Sequence, residues 1–203
     1  MFVQVIRGKA ADRDALRRDA ERWRDEVAPG ADGWLGSTIG IADDGEFVAS
    51  ARFTDEAAAR VNSERPEQGA WWAELTSHLA GEPTVHDCDG AETWPAEPSD
   101  DAGFVQVIEA HVDDPDRAMA MIRQGADEVG RSRPDVMGGL VALDPTGWMT
   151  QVVYFTSEQE ARAGEAAESP GADEQMAEMM SMVSDLHYVD LRDPWLLSPV
   201  RQA

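Results

Sequence analysis

Apolar positions along this chain alternate in short runs and then shift to helical spacing, and they do so twice. Residues 2–8 are apolar and β-rich, with Gln4 set among them, and read as a strand. Leu16, Ala20, Trp23 and Val27 follow at helical spacing with arginines and acids between them. Asp12 or Asp14 can cap that helix, and Pro29-Gly30 ends it. Residues 34–41 and 47–53 are two further strands, joined by an Asp43-Asp44-Gly45 hairpin turn in which glycine can take a positive φ. Thr54 is placed as the N-cap of a helix opened by Glu56 and Ala57-Ala58-Ala59. Arg65-Pro66-Glu67-Gln68-Gly69 breaks it, 71–79 is a second helical piece, and 83–89 is a short final strand.

The same order then returns. Phe2-Val3-Gln4-Val5-Ile6 recurs as Phe104-Val105-Gln106-Val107-Ile108, and Phe53-Thr54-x-Glu56-x-x-Ala59-Arg60 as Phe155-Thr156-x-Glu158-x-x-Ala161-Arg162, both at an offset of 102. Gly36 and Gly45 pair with Gly138 and Gly147 at the same offset. That period is the length of a small domain, not of a solenoid repeat. The second copy predicts strands at 104–110, 136–143, 148–155 and 185–191, a helix at 115–129, and a helix at 157–183 broken near Ser169-Pro170-Gly171. Toward the end, Val85-His86-x-x-Asp89 aligns with Leu186-His187-x-x-Asp190, and Trp94 with Trp195, at an offset of 101. A one-residue deletion in the second copy's last helix would produce that slip. The domain reading is a first unit at 1–94, a polar, proline-bearing linker at 95–102, a second unit at 103–195 and a tail at 196–203.

Each unit is β-α-β-β-α-β, the ferredoxin-like pattern, so the fold class is α+β. Two helices cover one face of a four-stranded sheet and leave the other bare. With Val3, Val5, Ile39, Ile41, Val105, Val107, Val141 and Leu143 assigned to that bare face, the second sheet is expected to cover the first. The outcome would be an intrachain pseudo-dimeric α/β barrel, with a further homodimer left open.

Charge narrows the partners. Forty Asp and Glu against 17 Lys and Arg give a net charge of −23, which repels phosphate backbones and anionic lipid. Nucleic acid and membrane surfaces are therefore not expected as partners. No apolar run approaches the roughly 18 residues of a membrane span, and no leader pattern opens the chain, so a cytoplasmic location is expected. The single cysteine, Cys88, excludes an intrachain disulfide and a cysteine-cluster metal site. The four histidines lack metal-ligand spacing, so no metal is expected.

The β-α-β-β-α-β order, the Phe-Val-Gln-Val-Ile strand and the Phe-Thr-x-Glu-x-x-Ala junction resemble the dimeric α/β-barrel superfamily, in its antibiotic-biosynthesis-monooxygenase-like branch. The resemblance covers both halves. It implies a small apolar or aromatic partner and chemistry without a cofactor. Members include cofactor-independent oxygenases of electron-rich aromatics, heme-degrading oxygenases and proteins without known activity. In the heme-degrading and quinone-forming members an Asn on the first strand, a Trp on the second helix and a His beyond it line a pocket. Gln4 stands where that Asn would be, Trp71 or Trp72 near the Trp, and His78 or His86 near the His.

The candidate residues follow from both lines. Gln4 and Gln106 are amides inside apolar strands, satisfied by a neighbour or aimed at a ligand's carbonyl or dioxygen. Adjacent helical residues point about 100° apart, so of Trp71 and Trp72 one packs and the other faces a groove. The matching positions in the second copy are Asp173 and Glu174, followed by Met176, Met179, Met180 and Met182, which favours the first copy as the site. His86 and His187, each three residues before an Asp, could serve as a general base, although i and i+3 on a strand face opposite ways. Arg52 and Tyr154 occupy matching strand positions and could touch an acidic or phenolic ligand, with a surface position as the alternative for Arg52. The expected activity is a cofactor-independent monooxygenase acting on an aromatic or polyketide-like molecule, with Gln4 orienting and His86 as base. The alternatives are a non-enzymatic binding or stress-associated protein, and a heme-binding or heme-degrading one.

Overall fold

In the computed structural model, which describes residues 1–167 and 172–199 (side chains of 172–176 excepted), two antiparallel five-stranded sheets form from the two copies. The first copy supplies β1 (Phe2–Lys9), α1 (Arg13–Arg22), β2 (Trp34–Ile41), β3 (Glu46–Phe53), α2 (Glu56–Ser63), α3 (Pro66–Ser77), β4 (Thr84–Cys88) and the short β5 (Glu92–Thr93). The second supplies β6 (Phe104–Val112), α4 (Pro115–Ser132), β7 (Val136–Leu143), β8 (Trp148–Phe155), α5 (Glu158–Glu165), α6 (Ala172–Ser181), β9 (Val183–Leu191) and β10 (Trp195–Leu197). The α+β, tandem ferredoxin-like reading holds. The break expected at 169–171 lies outside the described residues.

Strand order is β10-β2-β3-β1-β4 in one sheet and β5-β7-β8-β6-β9 in the other. The fifth strand of each sheet comes from the chain segment following the other copy's domain. The first compact unit is therefore residues 1–90 with 193–203, and the second is 91–192. The repeated bulge glycines make room for these arms. At Gly36 (φ +138°) a Cβ would lie 3.0 Å from the Leu197 carbonyl oxygen, and at Gly138 one would lie 2.9 Å from that of Ala96. In each unit the bulge interrupts the register of the second strand, at Trp34/Gly36 and at Val136/Gly138.

The last-strand register overturns the expected one-residue deletion. Gln4 lies opposite Asp87 and Gln106 opposite Asp190, an offset of 103. Trp195 lies opposite Ile39, whereas Glu92, not Trp94, lies opposite the matching Val141. The second copy has thus gained one residue net. The sequence match at 101 followed a chance His-x-x-Asp likeness, whereas backbone pairing follows the ladder. On β9 a register shift opposite Glu109/His111, with Asp185 at φ 54°, breaks the ladder within the strand.

Helix starts also differ in detail. Asp55, not Thr54, is the N-cap of α2 and accepts from the Ala58 N–H at 2.9 Å, and Ser157 does the same for α5. The helix opened at Glu56 ends at Ser63, as the expected break requires, and Pro66 opens α3 as its first residue, earlier than the expected 71 and at a position where its missing N–H costs nothing. Side-chain faces are redistributed too. Ile39 and Ile41 join Leu16, Ala20, Trp23, Phe47, Phe53 and Leu75 in the core under the first unit's helices, and Val141 packs with Leu143 and Ala118 in the second. Val3, Val5, Val105 and Val107 point the other way and are buried all the same. No helix among the described residues is long and apolar enough to cross a membrane.

Candidate small-molecule site in the first unit

Strand alternation places Gln4 and Ile6 on the helix-facing side of β1, level with Ala51 and Ala49 of β3 and with Ser37 and Ile39 of β2. Small residues on β3 leave space there. Above them stand Trp23, Trp71 and Trp72. The result is a cavity of about 290 Å³, lined by those residues together with Phe53, Asn62, Ser63, Gln68, Gly69 and Val85. That volume is at the lower end of the range for small-molecule pockets.

The tryptophan wall is braced from behind. Trp23 stands edge-on to Trp34 at 4.7 Å between ring centroids, and 6.0 Å from Trp71, which is 6.3 Å from Trp72. Each inner indole N–H is satisfied: Trp23 donates to Gln68 Oε1 at 2.7 Å, Trp34 to Ser37 Oγ at 3.0 Å, and Trp71 to the Asp19 carbonyl at 2.8 Å. Trp23 opens a single π turn, Trp23–Val27, where α1 widens, a feature often found beside functional sites. Trp71 is buried and Trp72 is half-buried, so both of the adjacent tryptophans serve the cavity.

Gln4 is its distinctive polar group. The amide Nε2 donates to Asp87 Oδ1 at 2.9 Å across the β1–β4 pair. Among the described residues no Asp, Glu, His, Lys or Arg lines the cavity. His78 lies behind it, with Nδ1 2.8 Å from Oδ2 of the buried Asp19, and ties the end of α3 to α1. His86 lies opposite Val5, on the sheet face away from the cavity, and so does not line it. Arg52, opposite Val3, is on that far face as well. At 7% exposure it is buried, so a surface position does not apply, and its counterpart Tyr154 is 1% exposed.

His86 and His187 do not match. His86 corresponds to Val189, since each faces the second valine of its first strand, Val5 or Val107. Gln106 repeats Gln4 in geometry, donating to Asp190 at 3.0 Å, but is itself buried. Asp190 is also paired with Arg162 and lies 3.5 Å from Arg192. The side chains of Asp173, Glu174 and Met176 lie outside the described residues.

Sequence reasoning passed over Trp23, Gln68, Asn62 and Asp87. One signal was available for the first: Trp23 aligns with Gly125, among the largest size differences between the copies. Among the described residues no cluster of three or more His, Cys, Asp or Glu could hold a metal ion.

No family model matches the sequence, and no curated protein matches it. Solved structures do resemble it. A putative monooxygenase from Lactobacillus acidophilus NCFM superposes with a TM-score of 0.76 at 15% identity, over 97% of this chain and 95% of its own. An anthrone oxidase-like protein gives 0.70 at 10% identity, over 96% and 92%. A ferredoxin-fold protein related to antibiotic biosynthesis monooxygenases, from Listeria monocytogenes 4b F2365, gives 0.54 at 10%, over 98% and 96%. At such identities the likeness establishes the fold, and by that fold the chain is a tandem ferredoxin-like protein, built as these putative monooxygenases and their relatives are built.

Proposed function

We propose that the first unit is a cofactor-independent monooxygenase site for an apolar aromatic or polyketide-like small molecule. The observation that carries this reading is the convergence of Gln4, Trp71 and Trp72 on one apolar cavity. The likeness to putative monooxygenases supports it. A flat, electron-rich ring would stack among the tryptophans, out of water. Taking a ring methylene to a carbonyl removes four electrons. Dioxygen accepts them, one oxygen atom entering the product and the other leaving as water. The protein's part would be orientation and exclusion of water.

That no Asp, Glu, His, Lys or Arg among the described residues lines the cavity favours a second reading, a binding protein without catalysis, because the oxygenation begins by removing a proton from carbon. Heme fits poorly, since among the described residues no histidine lines the cavity to ligate it. The test pairs a thermal-shift and native mass-spectrometry screen of polycyclic phenols and hemin with oxygen-uptake assays. The oxygenase reading predicts a bound phenol, uptake on turnover, and one labelled atom in the product from ¹⁸O₂. Binding without uptake would leave the binding-protein reading, and no binding would end both.

A further inference from the structure

We infer that Asp87 is a positioning residue that sets the hydrogen-bond polarity of this cavity, so that it selects ligands presenting a hydroxyl donor; the inference rests on the cavity being a ligand site. A carboxylate has only acceptors to offer, so the group Gln4 turns toward Asp87 at 2.9 Å is its NH₂. The remaining end of the amide, the carbonyl oxygen, is an acceptor. With its nitrogen edge turned to Asp87, the carbonyl edge is the end of the amide that a ligand in the cavity would meet, as an acceptor in place of the carbonyl- or dioxygen-orienting donor that its residue type first suggests.

In the second unit the same pair stands in different surroundings. There the glutamine is buried and its aspartate is shared with Arg162 and Arg192. In the first unit the counterpart of Arg162 is Arg60, which is turned to solvent and lies 3.9 Å from Glu64. Among the described residues Gln4 is the one side-chain partner of Asp87, and the pair sits where Gln4 meets the cavity. Val85, on the same edge strand, lines the cavity and is 46% exposed, which puts the pair by an opening to solvent.

The test uses tryptophan fluorescence of the full chain titrated with 1-naphthol, 1-methoxynaphthalene and naphthalene, bicyclic rings suited to the cavity. Wild type should bind the naphthol about five- to tenfold tighter than the ether, the range of one net hydrogen bond. Asp87→Asn can donate back to Gln4 and let the amide turn over, so that preference should fall to about one or reverse toward the ether. Asp87→Glu should restore it. Naphthalene, which makes no hydrogen bond, should bind all three proteins alike, which also reports that the fold is intact. Equal binding of naphthol and ether by wild type, or an unchanged preference in Asp87→Asn, overturns the role of Asp87 and leaves the cavity reading standing. Failure of naphthalene itself to bind wild type overturns both.

Discussion

Both units begin from the same strand and the same helix junction, yet they set different side chains between sheet and helices. In the first, three tryptophans surround a cavity floored by Ala49 and Ala51. In the second, the positions of Trp23 and Ala51 hold Gly125 and Val153, and two arginines lie across phenylalanine rings. Arg133 sits 5.8 Å from the Phe155 ring and clamps Asp135 with hydrogen bonds of 3.0 and 2.7 Å; Arg162 sits 5.4 Å from Phe104 and pairs with Asp190. A Cβ at Gly164 would be 2.6 Å from the Arg133 guanidinium carbon, whereas the matching Asn62 lines the first unit's cavity. The first copy keeps apolar space between sheet and helices, and the second sets charge-paired arginines against its phenylalanine rings. Duplicated units can thus diverge through a few side chains between sheet and helices.

The largest expected effect tests whether the exchanged arms hold their units together. Trp195 is buried in the first unit's core, beneath the Arg17 guanidinium at 5.7 Å. Trp195→Ala should cost about 3–5 kcal/mol. Hydrogen exchange should show the lost protection in β2 and β3, and uniform loss across both sheets would break the division into two units.

Next comes the clamp. Arg133→Ala leaves the buried Asp135 without its guanidinium and should cost about 1–3 kcal/mol in chemical denaturation at neutral pH. The hydrogen bond and charge of Arg133 hold the Asp135 carboxyl below its ordinary value. That stabilisation is present above the unfolded value of roughly 3.9 and is lost as pH falls through the lower folded value. Wild type should therefore lose stability more steeply than the variant below about pH 4, and the gap between them should close. A gap independent of pH would mean that Arg133 acts only by packing on Phe155.

Trp72→Ala removes a half-buried wall and should cost only about 1–2 kcal/mol of stability, while weakening 1-naphthol binding at least tenfold in fluorescence titration. Ala51→Val copies the second unit's floor into the first. It should leave stability within about 1 kcal/mol of wild type, by filling space, and should still reduce naphthol binding measurably. Retained binding in both variants would place the ligand elsewhere.

Much of this architecture was legible in the chain. Residue periodicity marked the strands and helices because burial on one face imposes periods of 2 and 3.6, and the offset of 102 exposed the duplication. The tryptophan pair pointed to the first copy because Trp71 and Trp72 face Asp173 and Glu174 in the alignment. His86 does not line the cavity because a one-residue step along a strand reverses the side chain, and only the pairing with Val5 revealed which face it takes. The offset of 101 failed because local likeness is blind to ladder register. Asp87 became visible only when β4 was set beside β1.

The sequence by itself determined the element order, the duplication and the strongly acidic charge, since each depends on local periodicity or on counting. Tertiary structure alone decided that each sheet takes its fifth strand from the other copy's trailing segment, that Asp87 holds the amide nitrogen of Gln4, and that Gln4, Trp23, Trp71 and Trp72 share one cavity. Those outcomes depend on which distant side chains share a face and on what volume is left between them, and neither quantity is written in any local stretch of the chain.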